Sequence, residues 1–106
     1  MTKLIKHKDI KAEVTNIQCW LTITDPIILK ELSENLLEQA EYIVIDYIEY
    51  FFPNDAWTAV WLLAESHLAI HTFPQDNVSY FELSGCNASK TSKLETLLKE
   101  TGLIKI

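Results

Sequence analysis

Hydrophobic and polar residues alternate along much of this chain with the period of two that is typical of β-strands. In residues 17–24 the alternation places Cys19, Leu21 and Ile23 on one face, which predicts a half-buried strand. Further strands are predicted at 42–52, 58–64, 67–73 and 78–84, where β-branched and aromatic residues are concentrated. No Gly, Pro or Asn separates the second and third of these, so we expect them to meet at a kink near Glu65 and Ser66.

Two other segments have the period of an amphipathic helix. Asp25 is suited to cap the first helix and Pro26 to occupy its first position, where a missing N–H does no harm. The apolar stripe of this helix is predicted to be Ile28, Leu29, Leu32, Leu36 and Ala40. Ser92 and Glu95 have the spacing of a capping box, which predicts that the second helix begins there, and Gly102 suits its C-terminal cap. Its buried stripe is predicted to be Leu94, Leu97 and Leu98.

The predicted order of elements is β-α-β-β-β-β-α-β, with a short edge strand at 103–106. This order predicts an α+β fold, a two-layer sandwich in which a mainly antiparallel sheet carries two helices on one face. Residues 17–106 are expected to form the core of a single domain, and the Lys-rich residues 1–16 an N-terminal arm or edge strand. The other face of the sheet needs a cover, because too much aromatic area would otherwise meet water, and a second copy of the chain is the simplest one. The aromatic residues expected there are Trp57, Trp61, Tyr80 and Phe81.

Composition excludes several classes of function. The formal charge is −6, with 9 basic and 15 acidic residues, which argues against a nucleic-acid-binding surface. Gly85 and Gly102 are the only glycines, so a Gly-rich phosphate-binding loop is excluded. No apolar run approaches the ~20 residues of a membrane span, and the N-terminus lacks the features of a secretory signal. Two cysteines without CxxC spacing indicate a reducing, cytoplasmic location.

The segment 65–74 concentrates a carboxylate, a hydroxyl and two imidazoles within one predicted strand. A half-exposed strand whose polar face meets water would explain this without any chemistry. His67 and His71 would stand ~13 Å apart along the strand, too far to share one ion, so no metal is expected. Ser66 and His71 would lie ~16 Å apart on opposite faces, so they can act on one substrate only if they come from two subunits.

The segment also carries a family resemblance. Glu65-Ser66-His67 is followed after three residues by His71-Thr72-Phe73-Pro74-Gln75, and Cys86 lies twenty residues after Ser66. This arrangement resembles the processing and active-site segment of the prokaryotic, pyruvoyl-dependent S-adenosylmethionine decarboxylases. Their pattern is Glu-Ser-His, three residues, then His-Thr-Trp-Pro-Glu, with a Cys twenty residues after the Ser. The order of elements agrees from about residue 17 to residue 100.

The resemblance implies a self-processing enzyme. The Ser66 hydroxyl would attack the Glu65 carbonyl, and elimination would cut the chain between these residues and leave a pyruvoyl cofactor derived from Ser66. His71 matches the histidine that assists processing, Thr58 falls where the family has a serine, and Cys86 matches the proton donor. A Schiff base between the pyruvoyl ketone and the substrate amine would supply the electron sink that decarboxylation needs. The family forms homodimers with shared active sites.

The expected substrate-binding residues follow the same resemblance, with departures from the family pattern. They are Phe51, Phe73, Gln75 and His67. The family's Trp-Pro-Glu is Phe73-Pro74-Gln75 here, the turn before the processing site is bulkier (Ala56 to Ala59), and the N-terminal Gly-Arg-His is missing.

These observations leave three hypotheses for the function. The first is decarboxylation of S-adenosylmethionine for the biosynthesis of polyamines such as spermidine. The second is decarboxylation of ornithine or arginine, in an acidic pocket that uses Asp46, Glu49 or Glu82. The third is an unprocessed, non-catalytic dimeric module that binds or regulates a partner.

Overall fold

The computed structural model describes residues 14–106, which form one five-stranded sheet and two helices. In chain order the elements are β1 (Thr15–Leu21), α1 (Pro26–Gln39), β2 (Val44–Phe51), β3 (Trp57–Leu63), β4 (Ser66–Phe73), β5 (Val78–Gly85) and α2 (Ala88–Glu100). The strand order is β1-β5-β4-β3-β2 and every neighbouring pair is antiparallel. Both helices lie on one face, so the predicted two-layer α+β fold is confirmed.

The helix-covered face of the sheet holds the core. Alternate residues of β3, β4 and β5 point toward the helices and are almost completely buried, among them Trp57, Trp61 and Phe81. Burial of apolar surface stabilises the fold by roughly 25 cal/mol per Å², so these large rings are major contributors. The expectation that they lie on an uncovered face was therefore wrong, since period-two alternation separates two faces without telling which one the helices cover.

The other face, which we call the open face, nevertheless carries apolar side chains. Trp20 is 44% exposed, Ile48 69% and Tyr50 61%. The Trp20 ring packs against Tyr80 at 5.3 Å and against Phe73 at 5.7 Å between centroids. A face of this composition is typical of a protein–protein contact.

Helix α1 begins as predicted. The Asp25 carboxylate accepts hydrogen bonds from the backbone N–H of Ile27 (2.9 Å) and Ile28 (3.3 Å), and Pro26 occupies the first helical position. The predicted apolar stripe is confirmed except at Ile28, which is half exposed, while Ser33 is buried.

Helix α2 begins five residues earlier than predicted. Asn87 is its N-cap, and its side chain accepts a hydrogen bond from the Lys90 N–H at 3.0 Å. Ser92 and Glu95 lie inside the helix, so their capping-box spacing was misleading. Gly102 follows the C-cap with a φ of 72°, a left-handed conformation that glycine adopts without steric cost.

A two-residue turn, Ala64-Glu65, joins β3 to β4. Leu63 pairs with Ser66, so the connection is a tight hairpin and the predicted kink was wrong. Glu65 takes the positive φ of 62° that the turn requires. Glycine or asparagine usually occupies such a position, so the sequence contains no recognisable signal for this hairpin.

The two ends of the chain differ from expectation in different ways. Near the C-terminus, a bridge between Leu21 and Ile104 and a hydrogen bond from the Lys105 N–H to the Trp20 carbonyl (2.8 Å) attach the chain to β1, without forming a full strand. At the other end, Thr15 and Asn16 belong to β1, and residues 1–13 of the predicted arm lie outside the described residues. Neither helix of the described part is long and apolar enough to cross a membrane.

Glu49 holds a polar cluster together between β2, β3 and α1. Its carboxylate accepts a hydrogen bond from the Trp57 indole N–H at 3.2 Å and lies 3.8 Å from the Lys30 ammonium. The neighbouring Tyr47 hydroxyl is the largest cause of a lowered pKa at Glu49; burial opposes the shift, while the Trp57 indole and Lys30 add to it. Burial, followed by the two nearby glutamates, raises the pKa of Tyr47, so its hydroxyl is neutral at physiological pH.

We expect the stabilising effect of Glu49 to disappear in acid. Its folded-state pKa lies below the unfolded value near 4.5, so its contribution is present above that value and is lost as the pH falls through the folded pKa. Glu49→Gln should therefore be less stable than the parent chain at neutral pH by at most about 1 kcal/mol, because water screens the partly exposed carboxylate, and the difference should be smaller at a pH below 4.5. Urea unfolding at both pH values measures the difference. A gap that persists unchanged in acid would contradict this account.

Candidate active site

The β3–β4 hairpin and the end of β5 border an open cavity of about 330 Å³. It lies at one end of the sheet and wraps around that end, so residues from both faces contribute. Its lining comprises Val14, Leu62, Leu63, Glu65, Ser66, His67, Ser84, Gly85 and Cys86. The structure therefore brings Glu65, Ser66, His67 and Cys86 to one place, which we call the Ser66 cavity.

The bond between Glu65 and Ser66 lies at the most strained point of the hairpin. A left-handed conformation costs a non-glycine residue roughly 1–2 kcal/mol, and Glu65 adopts one with φ 62°. Ser66 is the first residue of β4, and its hydroxyl lies on the helix-covered side of the sheet. Any reaction that cuts the chain between these two residues releases this strain.

Because Gly85 has no side chain, the Ser66 hydroxyl has room in its observed position. A Cβ built on Gly85 would lie 3.0 Å from the Ser66 Oγ, closer than most real contacts of a Cβ. The absence of a side chain therefore leaves room for the hydroxyl directly across from the last residue of β5. Cys86 follows immediately and is exposed, so its thiol is accessible from the same cavity.

His71 lies in a different cavity, of about 310 Å³, toward the other end of β4. Its Nδ1 is 2.9 Å from the Thr58 Oγ1 on the neighbouring strand. This contact orients the ring and leaves Nε2 as the nitrogen available to a reactant. Phe73 and Gln75 line the same cavity, together with Phe52, Asn54, Ala56, Thr72, Pro74 and Asp76.

The structure does not bring Ser66 and His71 together within one chain. They are five residues apart on one strand, ~16 Å in extended conformation, and the alternation of β4 directs their side chains to opposite faces. The separation of Ser66 from His71 that was expected from the sequence is therefore found in the fold.

Phe51 lies apart from the other expected substrate-binding residues. It packs near Trp57 on the helix side, with 6.4 Å between ring centroids, and lines a separate cavity beside the start of α1. Its neighbour Phe52 is the residue that lines the His71 cavity. The two neighbouring rings therefore line different cavities.

The three acidic residues named for the second hypothesis do not lie together within one chain. Glu49 lies on the helix-covered face, where it binds Trp57, whereas Glu82 lies on the open face beside Gln18. The Asp46 carboxylate accepts a hydrogen bond from the Tyr47 N–H next to it. These three side chains do not converge on a common ligand.

Cys19, the other cysteine, belongs to the packing of the fold. Burial, with a smaller effect from Glu95, raises the pKa of the Cys19 thiol, which packs against the core. Within residues 14–106, no three His, Cys, Asp or Glu side chains lie close enough to hold a metal ion.

Comparison with known proteins identifies the class to which this fold and hairpin belong. The family model of S-adenosylmethionine decarboxylase matches residues 10–101, so the chain belongs to that family. The S-adenosylmethionine decarboxylase proenzyme of Archaeoglobus fulgidus is 26% identical over 96 residues, which cover 91% of this chain and 83% of that protein. The crystal structure of the adenosylmethionine decarboxylase from Aquifex aeolicus superimposes with a TM-score of 0.69 at 26% identity, over 82% of this chain and 78% of the other.

Proposed function

We propose that this protein is a self-processing, pyruvoyl-dependent decarboxylase that acts on S-adenosylmethionine and thereby supplies polyamine biosynthesis, including that of spermidine. The observation that carries the proposal is the Ser66 cavity, where a strained Glu65-Ser66 linkage lies beside Gly85 and the accessible Cys86 thiol. Membership of the S-adenosylmethionine decarboxylase family supports decarboxylation as the general activity.

Self-processing begins at the Ser66 hydroxyl. Its Oγ attacks the Glu65 carbonyl carbon, so that the amide becomes an ester while the Ser66 nitrogen becomes an amine. Loss of the Ser66 Cα proton then expels the Glu65 carboxylate and separates residues 1–65 from residues 66–106. Hydrolysis of the resulting dehydroalanine with release of ammonia converts the new N-terminus to a pyruvoyl group. The strain at Glu65 favours this sequence because the left-handed turn is no longer required once the chain is cut.

The surroundings of Ser66 fit such a group. The Gly85 backbone leaves space for a planar group at the start of β4, and the cavity is open to a small molecule. When present, a pyruvoyl ketone supplies the electron sink that loss of a carboxylate requires. We assign to Cys86 the return of a proton to the product, because its thiol lines the same cavity and a thiol can act as a general acid.

A second copy of the chain would complete the site. His71 and Thr58 lie on the open face, whose exposed apolar residues favour a partner. Two open faces packed with their β4 strands antiparallel would bring the His71 end of one chain to the end of the partner's sheet, where the Ser66 cavity extends around to the open face. We therefore propose a homodimer in which His71 and Thr58 of one protomer assist processing of its partner, with two shared sites.

The substrate would extend between these two cavities. Phe73 offers a ring on which a planar base can stack, and Gln75 and His67 offer polar contacts. Phe52 replaces Phe51 in this proposal, because Phe52 lines the His71 cavity with Phe73. The relatives from Archaeoglobus fulgidus and Aquifex aeolicus are named for S-adenosylmethionine, which supports the same substrate here.

The experiment that tests the proposal is the mass of the purified wild-type chain. We expect two fragments, residues 1–65 and 66–106, and a gain of two hydrogens on the second fragment after borohydride reduction of its ketone. Carboxyl-labelled S-adenosylmethionine, ornithine and arginine are then tested separately, and the compound that releases labelled carbon dioxide is the substrate. A folded chain that stays intact and takes up no hydride would instead favour the non-catalytic module.

A further inference from the structure

Three hydroxyl groups linked by hydrogen bonds lie beneath the Ser66 cavity. The Thr91 Oγ1 is 2.8 Å from the Thr15 Oγ1 and 3.0 Å from the Tyr42 hydroxyl, and it donates to the Asn87 carbonyl at 2.9 Å. The Thr15 hydroxyl in turn donates to the Gly85 carbonyl at 3.2 Å. Thr91 and Tyr42 are buried, and the groups come from four different parts of the fold. We call Thr15, Tyr42 and Thr91 the hydroxyl network.

Each hydroxyl has one proton to donate, and this determines which group is the donor in each hydrogen bond of the network. With the Thr91 hydroxyl donating to the Asn87 carbonyl, its oxygen accepts from the Tyr42 hydroxyl, and the Thr15 proton is shared between Thr91 and the Gly85 carbonyl. Tyr42 must then remain neutral, in agreement with burial, which raises its pKa against a smaller opposite effect of Thr91. All three hydroxyl groups are satisfied, so removal of the Thr91 hydroxyl leaves the buried Tyr42 hydroxyl without this hydrogen bond.

The network holds the two neighbours of Cys86. It binds the carbonyl of Gly85 on one side through Thr15 and the carbonyl of Asn87 on the other through Thr91, whose backbone N–H also donates to Asn87 at 3.0 Å. The position that a Gly85 Cβ would take is 3.0 Å from the Ser66 Oγ and 3.5 Å from the Thr91 Oγ1. Thr91 and Ser66 thus flank the same point of the β5–α2 junction.

We propose that Thr91, supported by Tyr42 and Thr15, is the positioning residue of the Ser66–Cys86 site. It acts through the backbone of residues 85–87: by fixing two carbonyls, it holds the Cys86 thiol and the space beside the Ser66 hydroxyl in the geometry that processing and proton return require. Thr91 itself touches no reacting atom. This inference rests on the proposed self-processing, but its geometric part can be measured without it.

The first measurement is the rate at which the newly expressed chain is cleaved. Thr91→Val keeps the shape of the side chain and removes the hydroxyl, and we expect cleavage to slow at least ~10-fold, since small misplacements of reacting groups cost factors of 10 to 10². Thr91→Ser restores the hydroxyl and should return the rate to within ~3-fold of the wild type. Thr96→Val is the matched control: it removes an equivalent bond to the carbonyl four residues earlier on the same helix, but on the exposed side. This control should cleave normally.

The second measurement is the rate at which iodoacetamide alkylates Cys86 in a Ser66→Ala background, with the partly buried Cys19 as the internal reference. Thr91→Val should change the Cys86 rate several-fold relative to Cys19, and Thr91→Ser should not. This arm decides the inference even if the wild-type chain proves uncleaved and the proposed function fails. Equal Cys86 rates in all variants, or normal cleavage by Thr91→Val, would overturn the positioning role.

A milder variant of the network serves as the control for effects on folding. Should Thr91→Val fail to fold by circular dichroism, Tyr42→Phe removes only one hydroxyl of the network and leaves the packed ring in place. We expect Tyr42→Phe to shift both the cleavage rate and the Cys86 alkylation rate in the same direction by a smaller factor. A variant that lowers the melting temperature while leaving both rates unchanged would assign the network a purely structural role and refute the inference.

Discussion

Ser66→Ala is expected to leave the chain in one piece and to abolish decarboxylation completely. Without the Ser66 Oγ the atom that would form the ester with the Glu65 carbonyl is missing, so the chain cannot be cut by this route and no ketone is generated. The fold should survive, because alanine is smaller than serine and the backbone pairing of β3 with β4 holds the hairpin together. The measurement is the intact mass of the purified variant, followed by release of labelled carbon dioxide.

Ser92→Ala is the matched control for this prediction. Ser92 is an exposed serine of α2 that does not line the Ser66 cavity, and its loss should leave both cleavage and turnover at wild-type values. Turnover by Ser66→Ala equal to that of the wild type would rule out the pyruvoyl mechanism, whatever the control shows.

His71→Ala is expected to slow self-processing by ~10²-fold or more. General acid–base assistance from a positioned imidazole contributes 10²–10⁴-fold, and the bond to Thr58 shows that this ring is held in one orientation. The fold itself should change little, because His71 faces the open side and is not part of the core. A time course of fragment appearance after synthesis, followed by mass, gives the ratio of rates.

Mixed dimers locate the site at which His71 acts. A Ser66→Ala chain cannot be cleaved but keeps His71, whereas a His71→Ala chain keeps Ser66. If His71 works across the interface, co-expression of the two should restore cleavage of the His71→Ala chain toward the wild-type rate. Verified mixed dimers in which that chain stays intact would show that the two residues do not share a site between subunits.

The fold was predictable from the sequence wherever local chemistry and tertiary packing agree. Asp25 and Pro26 start α1 because the capping carboxylate and the missing N–H act within one turn of the helix. The alternation in β1, β4 and β5 predicted strands because one face of each is buried. Where two local signals compete, as Asn87 does with Ser92 for the start of α2, only the packed structure shows which one is used.

The candidate site was predictable to the same degree. The spacing of Glu65, Ser66, His71 and Cys86 was visible along the chain, and the structure brings three of the four into one cavity. Phe51 and its neighbour Phe52 line different cavities, and which of them lies beside His71 was visible only in the tertiary structure. The strained turn at Glu65 carried no signal, since its positive φ is imposed by the pairing of Leu63 with Ser66.

The sequence by itself determined the elements, their order and the reactive groups of the β3–β4 hairpin, because each depends on residues only a few positions apart. The tertiary structure alone decided which face of the sheet the helices cover, and with it that Trp57 and Trp61 are core residues. It also decided that Thr15, Tyr42 and Thr91 meet beneath Ser66, although 76 residues separate the first from the last. Contacts of this kind arise when distant segments are packed together to bury a common apolar surface, and no local pattern of residues encodes them.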